Sequence, residues 1–275
     1  MPSVIDKFYY KLNYRLFFAN RGAKSLHRLA VKLPLWYKCR IDLKNKRIFN
    51  KGLELHFRIY SRLYLYQLGL TYRYDNLLSE YCLEESVRLD LAPNDFLIDC
   101  GANIGEFTLA FFHRYGTFRS IAFEPDPNEF DILNKNLSMD NCVNENMALS
   151  NKNEFLDFYC LNETGDSSFE IRGDLEPIKV AATTLDEYVK TKEIACIGIL
   201  KIEAEGFEPE VLLGAKKCLK IIKYIAVDAG FERNSDSTFT FINNFLVSKD
   251  FELIGFDSRR MCMLFRNKGI QLKYS

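Results

Sequence analysis

No apolar run in this 275-residue chain approaches the ~18 consecutive residues that a membrane span requires. The first residues scatter Tyr, Lys and Arg where a secretory leader has an unbroken apolar stretch, and no small-residue cleavage site follows. The eight cysteines form no C-x-x-C and have no paired His ligands, which argues against a zinc site or a disulfide framework. Cysteines inside apolar runs, such as Cys100 and Cys196, read instead as reduced core residues of a cytoplasmic protein. Histidine is scarce: His27 and His56 precede the part that carries the motifs, and His113 sits beside Arg114, so a histidine-based mechanism is disfavoured. There is no D-x-D or clustered acid pattern that compels a metal, and no Gly-Lys-Ser/Thr to close a phosphate loop. Internal repeats and low-complexity segments are also missing.

Charge balances to zero over the whole chain but not along it. Residues 1–50 hold 12 Lys/Arg against Asp6 and Asp42, leaving a surplus of ten acids in the remainder. Stretches 5–18 and 25–35 carry apolar residues at helical spacing with basic residues between them. They are either a cover packed on the rest of the chain or on a dimer partner, or an arm resting on an anionic membrane face. No nucleic-acid partner is expected.

The most telling stretch is Phe96-Leu-Ile-Asp99-Cys-Gly101-Ala-Asn103-Ile-Gly105-Glu-Phe107-Thr108. An apolar run ends in an acid, glycines follow at once, and a helical pattern resumes. That is a strand, a tight turn and a helix start, where backbone N–H groups can approach a ligand. Beginning 19 residues past Gly101, Ser120-Ile-Ala-Phe-Glu124-Pro125 is a second apolar strand ending in an acid. A carboxylate there is placed to accept hydrogen bonds from ribose hydroxyls. A nicotinamide dinucleotide wants G-x-G-x-x-G, but Asn103 stands at the middle position and would crowd a pyrophosphate. A phosphate-free cofactor with a ribose and an ammonium tail fits better, and S-adenosylmethionine meets each condition. Asp99, Gly101, Asn103, Gly105, Phe107, Thr108, Glu124 and Pro125, with Asn146 and Ala148 at the third strand end, are the expected cofactor contacts. Read structurally, they are a plain strand–turn–helix and solvated loop acids.

These motifs resemble the FkbM family of S-adenosylmethionine-dependent methyltransferases. The resemblance rests on D-x-G-A-N-I-G at 99–105, F-E-P at 123–125, A-L-S at 148–150, T-L-D at 184–186 and K-I-x-x-E-G-x-E at 201–208, followed by Val211-Leu-Leu-Gly-Ala215. It runs from about residue 95 to the C-terminus, roughly two thirds of the chain. The family usually has Asp-Val-Glu-Gly after Lys-Ile; here Glu203-Ala204-Glu205-Gly206 keeps the acid but lengthens it by a methylene. The resemblance implies a sugar hydroxyl of a surface polysaccharide or glycolipid, or a secondary-metabolite hydroxyl, as acceptor.

Strands expected at 96–100, 120–124, 142–147, 196–202 and 224–227 alternate with helices at 106–115, 127–139, 185–191, 209–219 and 239–249. Together with a closing antiparallel hairpin at 251–256 and 261–265, this is an α/β chain with a mixed seven-stranded, Rossmann-like sheet of the class I methyltransferase type. Short strands at 154–160, 168–171 and 179–182 form a β insertion over 154–182. Before it, 41–56 reads as a small hairpin around Asn50-Lys51-Gly52, and 59–90 as helix. The expected division is a mainly helical appendage, 1–92, and a cofactor-binding domain, 93–275.

Methyl transfer from a sulfonium is an in-line displacement that needs alignment and removal of the acceptor's proton. Glu203 and Glu205 end the fourth strand where an acceptor would lie, Lys201 precedes them, and Asp228 ends the fifth strand. As a structural set these would be loop acids with a lysine pairing them. Two alternatives remain open: a nicotinamide-dependent oxidoreductase, and a non-catalytic protein of the same fold.

Overall fold

The computed structural model describes residues 38–84, 87–116, 118–160, 167, 169, 176–233 and 236–271. The basic helices expected at 5–18 and 25–35, with most of the basic stretch, lie outside the described residues, as does the insertion strand at 168–171 apart from Phe169. Among the described residues no helix is long and apolar enough to cross a membrane. All eight cysteines are free thiols.

Three short strands come first: β1 (Arg40–Asp42), β2 (Arg47–Asn50) and β3 (Leu53–His56), paired antiparallel. Lys51 and Gly52, both at positive φ (48° and 84°), make the two-residue turn that suits the twist of a hairpin. The stretch 59–90 is not one helix. A 3₁₀ turn at Tyr60–Tyr66 is separated from α1 (Leu70–Glu80) by Gly69, whose φ of 95° no helix accommodates. After Glu80 the chain leaves the helix, and Cys82 has φ 56°.

The rest alternates as expected: β4 (Phe96–Cys100), α2 (Glu106–Tyr115), β5 (Arg119–Phe123), α3 (Pro127–Asn136), β6 (Cys142–Glu145), β7 (Ala148–Leu149), β8 (Glu154–Phe158) and β9 (Ile178–Thr183). Then come α4 (Leu185–Thr191), β10 (Ile197–Ile202), α5 (Glu208–Leu213), β11 (Ile222–Asp228), α6 (Phe239–Val247), β12 (Phe251–Asp257) and β13 (Cys262–Asn267). Local chemistry sets the helix starts. The Asp126 side chain accepts from Asn128 N–H ahead of Pro127, and Thr184 accepts from Glu187 N–H. Several boundaries shift by one to three residues, as where the helix expected at 127–139 ends at Asn136, and two differences have a tertiary cause. The third strand ends at Glu145, because Ala148–Leu149 joins a separate sheet with β9 and β8. The helix expected at 209–219 stops at Leu213, where Gly214 lies so close to the Ser150 carbonyl that a Cβ would sit 1.9 Å from it.

The main sheet has the order β12-β13-β11-β10-β4-β5-β6. From β6 to β11 the strands run parallel, and β13 inserts antiparallel between β11 and β12. The order reverses between β4 and β10, so the carboxyl ends of those two strands diverge into a crevice. β10 is buried along its whole length, as a central parallel strand covered on both faces must be. Side chains alternate between two cores. Ile98, Leu200 and Ile225 face α4, α5 and α6, while Leu97, Ile199 and Leu264 meet α1, α2 and the first sheet through Tyr74, Leu78, Phe111 and Leu55. Residues 38–84 thus share a continuous core with the sheet.

Gly101 marks the closest backbone approach at the switch, since a Cβ there would lie 1.8 Å from the Glu203 carbonyl. Gly52 has a similar φ but open space around it. In urea melts, Gly101→Ala should cost at least about 3 kcal/mol, whereas Gly52→Ala should cost only the left-handed backbone penalty of about 1 kcal/mol. Equal losses would mean that β4 and β10 are not pressed together at that point.

Candidate active site

A cleft opens over the carboxyl ends of β4, β5 and β10, holding about 1020 Å³ of space including its solvent mouth. Gly101, Asn103 and Phe107 form its floor with Phe123, Glu124 and Pro125. Ala148, Phe158 and Phe169 bound one side; Arg73, Leu77, Glu80 and Arg260 bound the other, beside Lys201, Glu203 and Glu205. Charged side chains around it number seven carboxylates and four cations.

The turn after β4 is tied down by its own backbone. Gly101 and Ala102 N–H both donate to the Phe123 carbonyl, at 3.0 and 2.9 Å, and Gly105 N–H donates to Ala102 O at 2.8 Å. Asn103, at φ 49°, donates its N–H to Glu124 Oε2 at 2.7 Å, and Asp126 N–H reaches Glu124 Oε1 at 2.8 Å. Glu124 is therefore fixed across the first two strand ends with both oxygens engaged once. Burial pushes its carboxyl up to about 8, against the lowering effect of those two N–H groups.

Beneath the turn lies a buried ionic knot. Lys201 Nζ donates to Gly101 O at 2.7 Å and stands 3.1 Å from Asp99 Oδ1 and 3.2 Å from Glu203 Oε2. The Asp99 contact is an ion pair rather than an aligned hydrogen bond; its other oxygen accepts from Thr108 Oγ1 at 2.8 Å. Burial would lower the Lys201 pKa, but Asp99 and Glu203 outweigh it and hold the ammonium charged. Glu203 Oε2 also accepts from the buried Tyr81 hydroxyl at 2.8 Å. Burial works to raise Glu203, yet Lys201, Arg260 and Tyr81 together hold it well below the usual carboxylate range. Asp228 is pushed up instead, by burial and then by the repulsion of Glu203 and Glu232.

Nine expected site residues line the cleft: Gly101, Asn103, Phe107, Glu124, Pro125, Ala148, Lys201, Glu203 and Glu205. Five do not. Asp99 and Thr108 lie in the layer beneath it, and Gly105 packs on Leu133 and Leu137. Asn146 braces the neighbouring loop through its amide, which donates to Glu124 O and Pro125 O. Asp228 sits behind Arg260, 3.6 Å from its guanidinium, and accepts from Gly230 N–H. Sequence reasoning missed Arg73, Glu80, Tyr81 and Arg260, which come from the first 92 residues and from the closing hairpin. Arg260 had a local signal, since the turn Asp257-Ser-Arg-Arg260 ends at it.

With this geometry in place, comparison with known proteins is decisive on one point. The methyltransferase FkbM domain matches residues 99–253. The chain belongs to the FkbM methyltransferase family. This is a family of enzymes, and the chain is similar to methyltransferase sdnD of Sordaria araneosa, 26% identical over 177 residues, covering 51% of this chain and 67% of that protein. The hexuronic acid methyltransferase AglP of Haloferax volcanii is 28% identical over 145 residues (49% and 56%). The 2-O-methyltransferase NoeI of Sinorhizobium fredii is 23% identical over 151 residues (48% and 62%). This FkbM chain thus spans less than two thirds of the length of the latter two. A solved FkbM methyltransferase from Methylobacillus flagellatus is 15% identical with a TM-score of 0.49, covering 89% of this chain and 59% of that one.

Glu208 makes the loop after β10 testable. Buried, it accepts from Ala204 and Gly206 N–H, and burial raises its carboxyl to about 7. The folded state therefore holds a proton that the unfolded chain releases above about 4.5. Stability from this group is full below that value and falls as pH rises toward 7. The melting temperature of Glu208→Gln relative to the unsubstituted protein should rise between pH 5 and 8, by the equivalent of up to about 3 kcal/mol. A pH-independent difference would show that Glu208 folds already ionised.

Proposed function

We propose that this chain binds S-adenosylmethionine over the ends of β4 and β5 and methylates a hydroxyl, that of a sugar being the acceptor favoured. One observation carries the cofactor assignment: Glu124 bridges the two strand ends while the N–H groups of Gly101, Ala102, Asn103 and Gly105 are all engaged within the protein. Those groups are not available to cradle a pyrophosphate. A nucleoside without phosphates needs none of them, and Glu124 keeps lone pairs for two ribose hydroxyls. The acidic surplus of the cleft suits a ligand bearing an ammonium and a sulfonium. Residue by residue, we place Gly101, Asn103, Phe107, Glu124, Pro125 and Ala148 against the cofactor, with Asp99, Gly105, Thr108 and Asn146 holding that surface in shape. The names of NoeI and AglP, a 2-O-methyltransferase and a hexuronic acid methyltransferase, support a sugar oxygen as acceptor.

When bound, the cofactor supplies the electrophilic methyl group; the chain supplies alignment and a place for the proton. Lys201 is unsuited to act as a base, because its charge is locked between Asp99 and Glu203. Glu203, held ionised by Lys201 and Tyr81, orients the acceptor hydroxyl by accepting its hydrogen bond. Glu205 reaches the cleft from the same loop and receives the proton as the oxygen is alkylated. Asp228, behind Arg260, sets the charge of that wall.

Calorimetry tests the reading directly. S-adenosylhomocysteine should bind and NAD should not, and Glu124→Ala should weaken binding by about 10- to 100-fold, the value of hydrogen bonds to a charged group. Because ribose hydroxyls favour the ionised carboxylate, affinity should climb as pH rises toward 8, and Glu124→Gln should flatten that part of the profile. Binding of NAD in place of S-adenosylhomocysteine would reverse the assignment. Glu205→Gln should cut turnover by about 10²- to 10⁴-fold with S-adenosylhomocysteine affinity within threefold. Unchanged turnover on an acceptor that the unsubstituted protein methylates would remove Glu205 from the mechanism.

A further inference from the structure

Arg260 and Glu80 face each other across the acceptor side of the cleft, and neither side chain makes a hydrogen bond among the described residues. Arg260 Nη2 stands 3.8 Å from Glu203 and 3.6 Å from Asp228, and its Nε stands 3.8 Å from Glu80. Among the described residues Arg73, at 3.9 Å, is the one other cation within ion-pair distance of Glu80, and Glu203 and Glu106 add repulsion. These separations are too long for hydrogen bonds and fall in the range where a third group commonly bridges. Arg73 shows the contrast: its fork closes on Glu106 at 3.1 and 2.9 Å, leaving it a brace. The Arg260 fork is half-exposed, lines the cleft and is ringed by three acids.

Donors and acceptors therefore alternate around one opening. A hydroxyl both donates and accepts, so it satisfies a guanidinium and a carboxylate together. An anionic substituent would meet Arg260 but also Glu80, Glu203 and Asp228, and the acids outnumber the arginine. A cation would meet the guanidinium. We propose that Arg260 and Glu80 read the acceptor as an uncharged vicinal diol, accepting neutral sugars and rejecting those with a carboxylate near the methylated hydroxyl. This deepens the sugar-methyltransferase reading and rests on it.

The test uses the full chain loaded with S-adenosylhomocysteine and titrated with methyl mannopyranoside or methyl glucopyranosiduronate, binding being read by saturation-transfer NMR. The neutral glycoside should bind at least about tenfold more tightly than the uronate, the scale at which a site built for hydroxyls discriminates. Arg260→Ala should weaken the mannoside about tenfold, and Arg260→Lys should recover only part of it, because a point charge lacks the fork. Glu80→Gln should narrow the preference by relieving repulsion of the uronate. Melting curves and S-adenosylhomocysteine affinity of each variant report whether it is folded. A wild-type preference for the uronate overturns the proposal. So does a preference unmoved by both substitutions, or a loaded protein that binds neither glycoside. Failure to bind S-adenosylhomocysteine at all overturns the underlying function instead, and is recognised before any glycoside is added.

Discussion

The pairing of Lys201 with Asp99 holds the site in place. The two residues are register partners on β10 and β4, the strands between which the sheet order reverses. Both are fully buried, so neither charge is tolerated without the other, and removing one partner of such a pair typically costs about 3–5 kcal/mol. Lys201 then carries the constraint outward: its ammonium holds Gly101 O on one side and Glu203 on the other. A single buried cation thus sets the spacing between the turn after β4 and the loop after β10, which border the cleft from two sides. A hydrophobic pair would pack as well but would leave only Arg260 and Tyr81 to keep Glu203 ionised.

The knot also joins the residue just past α1 to the closing hairpin. Tyr81, just past α1, donates to Glu203, and its ring packs edge-on against Phe107 at 5.2 Å. Arg260 approaches the same carboxylate from the β12–β13 turn. The described residues before β4 are therefore part of the cleft wall. Their apolar side chains fill the core on that face of the sheet, and their polar ones, Arg73 and Glu80, reach over its edge.

Much of this was legible because it is local. The strand at 96–100 and the helix at 106–115 follow from an apolar run, positive-φ glycines and amphipathic spacing, and Glu124 follows from its place at a strand end. The layering of Asp99 and Thr108 was harder to read. Both belong to the motif, yet their side chains are buried beneath the cleft, where Thr108 donates to one Asp99 oxygen and Lys201 faces the other. Arg260 and Glu80 meet only because β13 runs back between β11 and β12 and α1 packs beside α2 on that face of the sheet, and pairings of such sequence separation leave no periodic trace. The 59–90 stretch misled for a related reason: its apolar spacing is helical, but Gly69 is held where a Cβ would lie 3.0 Å from the Asn50 side chain. Tertiary contact therefore decides the break.

The loop after β10 completes the site through backbone held in uncommon conformations. Glu205 and Gly206 both have positive φ, 51° and 95°, and for Glu205 that costs about 1–2 kcal/mol. Compensation comes from beneath. Glu208, the first residue of α5, takes the N–H groups of Ala204 and Gly206 on one oxygen and lies 3.4 Å from Thr238 Oγ1 with the other. Arg233 clamps Gly206 O while binding Glu210 with both arms of its fork. The second acid of the E-G-x-E motif thus folds the loop over itself, which is why it is buried while Glu205 faces the cleft. The extra methylene of Glu203 is accommodated by the same geometry. Lys201 and Tyr81 grip the longer side chain at one oxygen, so its reach is set by those two contacts rather than by the length of the residue.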